Sequence, residues 1–528
     1  MKNTVYSYHM FLYPFTWSTN DNNIQTSKDF ANIFETVSSE NIWERAQLHT
    51  SQNSTNISLI TPESKVFYNT YQFFNEAGKN IIFDTAQNDI VFNFKVKDSF
   101  LSPRESKYII SLRTSELTLD IVDINLKVFN TGIAIFFINC ENRQHRSLEE
   151  VKQINEYGRR VSLSFWPNSI NDYKKCADKL SIQKGETLLF CDDFCNFIKS
   201  DSKKEQAVSL SYISTIIRNL LNQTGSGKTF RSKQTKDKND ILISPVLDGK
   251  MYVSCCIADK TLSTNLIQSF DTTDNSFDIK QARDIAELLC VDLEGKCSYK
   301  NEKALKSFLT ENLYLTEFGS SGSKLLGITE QSCIKIIEPQ TNTSGELLNQ
   351  YEIDYHNNIY NQILIIGLAQ RMAIVNFQQE LARIFQGIEL NKKRLSTKQI
   401  IRIMRLQEKF VTFQSQFLLY EVTAQREGTY IYNRIREVLH IPTESNTLSN
   451  QLNAVHQLAN LNQSFGFSRG GLTLSLIAMV FSIAGAINVA NSLGTITLNN
   501  YNGYLILGIE ATICLCILVY ILILKFKK

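Results

Sequence analysis

The chain has 528 residues, enough for about three to four folding units at roughly 150 residues each. Hydrophobic residues make up 43% and charged residues 20%, with only 7 prolines and 22 glycines, which excludes a disordered, collagen-like or low-complexity chain. The 55 basic and 52 acidic side chains leave a formal charge of +3, too little for a general nucleic-acid coat, so no direct nucleic-acid partner is expected.

Residues 1–168 carry the pattern of an α+β domain. Apolar, β-rich runs at Tyr6 to Trp17, Ile81 to Phe83, Ile90 to Val96, Tyr108 to Leu112, Leu117 to Val128 and Ile133 to Ile138 predict strands. Ser147 with Glu150 forms a capping box ahead of Val151 and Ile154, which predicts a helix, and Val161 to Phe165 returns to strand. The aromatic cluster Phe11, Tyr13, Phe15 and Trp17 fits core packing better than a ligand pocket. No catalytic signature appears here.

A second α/β domain is expected over 169–345. Its Gly225-Ser226-Gly227-Lys228-Thr229 stretch is similar to the end of a phosphate-binding Walker loop, but Asn222 stands where that pattern needs its first glycine. The preceding Ile216, Ile217, Leu220 and Leu221 have helical spacing where a strand is required, so an NTPase reading is disfavoured. The stretch reads as a basic loop in which Lys228, Arg231 and Lys233, with Lys236 and Lys238, either meet an anion or are solvated. These three first-named cations are the ligand-binding candidates, and no catalytic residue is assigned.

Beyond Gly345 the pattern changes to long helices. Glu346 to Gln386 is one, closed by Gly387. A second, capped at Ser396 or Thr397, carries a coiled-coil seam at Ile403, Leu406, Phe410, Phe413, Phe417, Tyr420 and Ala424. These make a helical hairpin over 346–441, and a stalk helix over 442–469 follows Pro442. Residues 396–441 as one helix would rise about 69 Å against about 40 Å for the stalk, so the second helix should tilt or break, most cheaply at Gly428. At the hairpin tip, Lys392, Lys393 and Arg394 either meet anionic lipid headgroups or form a solvated turn.

Residues 470–489 hold no charge and 504–524 hold one, Glu510. Each is long enough for a transmembrane helix across about 30 Å of hydrocarbon. The mean hydropathy of −0.16 would then be an average over unlike parts. Arg469 before the first span, Lys525, Lys527 and Lys528 in the tail 525–528, and the uncharged loop 490–503 place both termini in the cytoplasm of a multi-pass inner-membrane protein. The 11 cysteines are scattered without paired CxxC motifs, which fits reduced thiols and gives no metal site.

Two long helices, a stalk running into the first span, a short external loop, a second span and a lysine tail together resemble the CorA family of divalent-cation channels. The resemblance implies a homo-oligomer, a pentamer, whose first spans line a pore. Ser475, Ser482 and Gly485, with Asn488, Asn491 and Ser492 at the outer end, would line it, although close helix packing explains the same stripe. Glu510 is an intramembrane acid and hence a functional suspect.

The family's Gly-Met-Asn signature is absent: the chain reads Ala486-Ile487-Asn488-Val489-Ala490-Asn491. With about 345 residues ahead of the hairpin, the chain resembles more closely the CorA-like membrane effectors associated with type III CRISPR systems. That resemblance implies a channel gated by a cytoplasmic nucleotide messenger joining S-adenosylmethionine to AMP, with magnesium as a permeant or regulatory ion. A constitutive magnesium transporter and a membrane-tethered nucleotide-processing enzyme using Lys228 and Thr229 are the rival expectations. A non-conducting signalling scaffold is a third.

Overall fold

A computed structural model of the chain describes residues 4–46, 62–85, 89–161, 177–194, 214–232, 237–246, 249–267, 270–271, 276–277, 279–291, 293, 301–318, 322–341, 348–386 and 397–457. They fall into two compact units, one of residues 1–382 with 408–448 and one of 383–407 with 449–528.

The first unit is built on strands β1 (Ser7–Thr19), β2 (Trp43–Arg45), β3 (Val91–Val96), β4 (Ser106–Ser111), β5 (Glu116–Phe129) and β6 (Ile133–Asn142). After the helix Leu148–Gly158 come β7 (Lys179–Lys184), β8 (Thr187–Asp193), β9 (Thr229–Arg231), β10 (Asp240–Pro245) and β11 (Tyr252–Ile257). The short pair β12 (Phe270–Asp271) and β13 (Ser276–Phe277) stands apart, and β14 (Leu313–Phe318), β15 (Gly322–Ile328) and β16 (Ser332–Ile337) complete the set. Fourteen of these strands join one mixed sheet, whose main order is β14-β15-β16-β11-β1-β6-β5-β4-β7-β8.

Strand β1 is its organising member. One edge pairs with β6 from Ser7 to Thr16, and the other pairs first with β11 and then, beyond Phe15, with β10. Thirteen residues suffice for two successive neighbours because each needs only five or six. Pairing is antiparallel except for β9 with β10 and β11 with β16.

Both faces of the sheet are buried, which is why β11 and β16 are buried at every position with no alternation. Phe11, Tyr13 and Phe15 face a core shared with Phe30, Val151, Ile154, Leu220, Ile285 and Leu309 from helices and with Phe34 from the turn after Ser27–Asn32. The alternate residues Met10 and Leu12 are buried on the other face. Helical residues meet that face at Phe129 with Phe417, 5.9 Å between ring centroids, and at Ser254 with His356 and Asn361.

The predicted strands appear with small shifts, apart from Ile81 to Phe83 and from Val161 to Phe165; Val161 is not in a strand, and 162–165 lie outside the described residues. Ile81 and Ile82 end a helix, Glu76–Ile82, because Asn75 caps it by accepting from the Gly78 N–H. Ser147 and Glu150 form the capping box that starts Leu148–Gly158. The boundary expected at residue 168 does not divide the sheet, since β1 pairs with β10 and β11, and β4 with β7.

The first long helix runs as Gln350–Asp354, a π-helical turn Tyr355–Tyr360, and Asn361–Gln386. The next, Thr397–Phe417, buries Ile403, Leu406, Phe410, Phe413 and Phe417, while Tyr420 is exposed. It breaks over 418–425, after which come Arg426–Val438 and a helix over 441–457. Gly428 is helical, and a Cβ there would meet the Phe73 ring at 2.6 Å.

The expected fold class is corrected. The described residues build a large mixed sheet covered by helices, and no helix among them is long and apolar enough to cross a membrane. The described residues therefore give no support to the CorA-like two-span fold, to the membrane-channel description built on it or to the multi-pass inner-membrane placement. The segments that carried those expectations, 470–489, 490–503, 504–524 and 525–528, lie outside the described residues.

Candidate functional site

Of the loop residues singled out from the sequence, Lys228, Thr229, Arg231 and Lys238 are placed. The loop holding Lys228 runs from the helix Thr215–Asn222 into β9, a helix–loop–strand order opposite to the strand–loop–helix of a phosphate-binding loop. Lys228 Nζ donates to Asp21 Oδ2 at 2.5 Å and Arg231 Nε to Asp240 Oδ1 at 2.9 Å, so the two cations turn to different carboxylates. The Lys228 bond holds the Asp21 carboxyl below its ordinary range. Lys233, Lys392, Lys393, Arg394, Arg469, Ser475, Ser482, Gly485, Asn488, Asn491, Ser492, Glu510, Lys525, Lys527 and Lys528 lie outside the described residues.

The structure brings other cations together. Arg159, Lys250 and Arg371 line a cavity of about 280 Å³ with Glu330, Gln331 and His440, and Pro14, Met251, Tyr252, Leu368, Met372, Val438 and Leu439 supply its apolar wall. Glu330, Gln331, Val438 and His440 also line a second cavity of about 510 Å³, which carries Glu311, Glu437 and Arg434. The two form one cleft within the first unit, cationic at one end and acidic at the other. Their sizes suit a small organic ligand.

Each wall is held by local bonding. Arg159 follows the last turn of Leu148–Gly158, is only 2% exposed, and its Nη2 donates to Glu156 Oε2 at 3.1 Å and to Val291 O at 2.7 Å. The second contact places a cation at the carbonyl end of the helix Ile279–Cys290, where the helix dipole favours positive charge. The Leu289 carbonyl of that end accepts from Ser332 Oγ at 2.6 Å and Thr329 Oγ1 at 3.0 Å, which ties the β15–β16 turn to it. Tyr252 donates its hydroxyl proton to Thr329 O at 2.9 Å, fixing the turn from the β11 side.

Arg371 projects from Asn361–Gln386, and its Nη1 pairs with Glu444 Oε2. Burial pulls its guanidinium below the ordinary value, opposed by the Glu330 carboxylate; an arginine so shifted still stays charged at neutral pH. His440 Nε2 lies 3.1 Å from Glu330 Oε1 across the shared wall. Arg434 binds Glu437 Oε2 through Nη1 at 3.2 Å and the Glu311 carbonyl through Nη2.

Two non-glycine residues beside the cleft have left-handed backbones, Val291 at φ 46° and His440 at φ 55°. A β-branched residue rarely adopts that region, and such strain persists only where surrounding contacts impose it. Val291 presents its carbonyl to Arg159, and His440 joins Arg426–Val438 to the helix over 441–457.

Two further polar groups are sealed in the interior. Ser7 Oγ, His9 and Asn155 have the order of a nucleophile–base–orienter set, at 2.9 Å and 2.8 Å, but all three are at most 2% exposed. Asn142 Nδ2 donates to Ser7 Oγ at 2.9 Å, so the set is part of a buried core network, in which Asn155 Nδ2 is left without a hydrogen-bond partner. The other is ionic: Lys324 and Lys335 both bind Glu352, at 3.0 Å and 2.7 Å, and Lys324 reaches Glu427 at 2.8 Å. Burial opposes the Glu352 charge, but the two ammonium groups outweigh it and leave the carboxyl below its ordinary range.

The cleft was not legible as a site from sequence because its cations come from separate elements. One signal existed: Arg371 is the sole charged residue between Asn361 and Phe377, a lone cation in a strongly apolar helix. Among the described residues, no group of three or more acidic, histidine or cysteine side chains is arranged to hold a metal. Comparison with known proteins finds no family model, no curated relative and no solved structure that matches this chain.

Proposed function

We propose that the first unit is a ligand-binding module that takes an anionic ligand of nucleotide size in the two-lobed cleft. The observation that carries this reading is the convergence of Arg159, Lys250 and Arg371 on one cavity whose lining holds a single carboxylate, Glu330, although Arg159 also bonds Glu156 and Arg371 pairs with Glu444 behind the wall. Charge-assisted bonds from arginine to phosphate are short, directional and bidentate, and they are stronger where water is partly excluded. The apolar wall beside them offers Tyr252, Met251 and Leu368 to a base or other flat group. Binding is favoured over turnover because the Ser7–His9–Asn155 set is sealed and Lys228 is held by Asp21.

The reading keeps the nucleotide-responsive part of the sequence expectation and moves it from the 225–240 loop to the cleft. Titration of the full chain with ATP should give saturable, salt-sensitive binding, weakened about tenfold or more, equivalent to about 1.4 kcal/mol, by Lys250→Glu. Lys228→Ala should leave the affinity unchanged. Equal affinity in Lys250→Glu and the native chain, with loss of binding in Lys228→Ala, would return the site to the loop.

A further inference from the structure

Resting on the cleft as an anion site, we propose that Arg371 reads the ligand's anionic group and that Glu444 is its internal competitor, so that occupancy of the cleft frees the start of the helix over 441–457. Arg371 lines the cationic cavity, yet its Nη1 is engaged by a carboxylate from the same chain. A carboxylate against a cavity guanidinium occupies a position that a ligand phosphate or carboxylate could take, because arginine pairs with either anion. The Arg371 and Glu444 side chains are 17% and 26% exposed. Parts of both side chains are exposed although the contacting Nη1 is itself buried, so a ligand anion must take the guanidinium as Glu444 leaves it.

Release of Glu444 has a defined consequence. Its backbone N–H donates to His440 O at 3.0 Å, closing the first turn of the helix, while the His440 N–H donates back to Glu437 O at 3.0 Å. Between those two bonds the chain passes through the left-handed backbone of His440, whose side chain lines both cavities. The Arg371 pair thus restrains the first turn after a strained joint, and a ligand that takes Arg371 removes that restraint. Population follows differential affinity: the ligand favours the released state by as much as it prefers the freed guanidinium.

The experiment is amide hydrogen exchange over 441–448 in the full chain, with saturating ATP and, separately, with inorganic phosphate, alongside binding isotherms for the native protein, Glu444→Gln and Arg371→Lys. ATP should accelerate exchange there severalfold. Glu444→Gln should exchange fast without ligand, show no further change with it, and bind ATP about two- to fivefold tighter, the scale set by loss of a partly exposed ion pair. Arg371→Lys, which keeps charge and loses the fork, should bind more weakly. Acceleration by inorganic phosphate alone supports the exchange with the free anion as sufficient ligand. Saturable ATP binding with exchange at 441–448 unchanged or slowed overturns this inference alone, as does unaltered affinity in Glu444→Gln. Absence of saturable binding to the native chain overturns the cleft reading and this inference with it.

Discussion

His9 and His356 are buried imidazoles of opposite tautomer, and their neighbours dictate which. The Asn155 carbonyl oxygen can only accept, so His9 carries its proton on Nδ1 and receives the Ser7 hydroxyl proton at Nε2. Ser254 spends its one proton on Asn361 Oδ1 at 2.6 Å, so His356 must donate from Nε2, leaving Nδ1 unprotonated and without a hydrogen-bond partner. Burial drives both rings towards neutrality, His9 to about 4 and His356, with Lys335 nearby, to about 3. Between these values and the ordinary 6.5 the unfolded chain binds protons that the folded one refuses, so stability is complete above pH 6.5 and falls as the pH drops through that window. The urea midpoint should therefore fall between pH 6.5 and 5, above the range in which ordinary carboxylates titrate, with up to about 1.4 kcal/mol per pH unit for each ring. His356→Gln should roughly halve that slope; a flat profile from 6.5 to 5 would contradict the buried neutral assignment.

At the scale of elements, the helix-rich face depends on close approach. The π-helical turn Tyr355–Tyr360 aims His356 at Ser254 and sets Tyr360 4.6 Å from the Lys335 ammonium, so an irregular turn serves two contacts to the sheet. Gly367 is packed so that a Cβ there would collide with Ile435 Cγ2, on the helix Arg426–Val438. Gly367→Ala should destabilise by about 1–3 kcal/mol despite its better helix propensity, read as a lowered urea midpoint with unchanged slope. A stabilised variant would mean that these helices are not in contact. The break over 418–425 is similarly a matter of partners. Thr423 Oγ1 donates to Phe73 O at 2.5 Å, and Asn75 donates to Val422 O at 2.9 Å and Glu421 O at 3.0 Å. Such bonds replace those a continued helix would have made.

For the whole first unit, continuity of the sheet decides how it folds. Rings from both sides of the expected boundary meet at Phe34 and Phe230, 5.7 Å apart, and Trp43 Nε1 donates to Leu220 O at 3.0 Å. A fragment ending at residue 168 would strip β1 of β10 and β11 and strip β4 of β7, exposing two long unpaired edges. It should show no cooperative urea transition by far-ultraviolet circular dichroism. A sharp transition in that fragment would restore the two-domain division.

Sequence alone determined the pieces whose physics is local. Apolar, β-rich runs located β1 and β3 to β6, the Ser147–Glu150 capping box located a helix start, and three-and-four spacing located the buried seam from Ile403 to Phe417. The short run Ile81 to Phe83 went to helix because three apolar residues carry no period, and the cap at Asn75 was the stronger signal. The same hydropathy arithmetic that predicted two terminal spans could say nothing of how the preceding strands associate, and fourteen strands from both sides of residue 168 join one sheet. Only the tertiary structure decided the partners of β1, the site of the helix break and the cleft. His9 meets Asn155 across 146 positions, and Arg371 shares a cavity with Pro14, Arg159, Lys250 and Glu330. Local patterns encode a residue's own element and face within a turn or two. Desolvation of a cation, and the carboxylate that answers it, depend on chain brought together only when the sheet and its covering helices close.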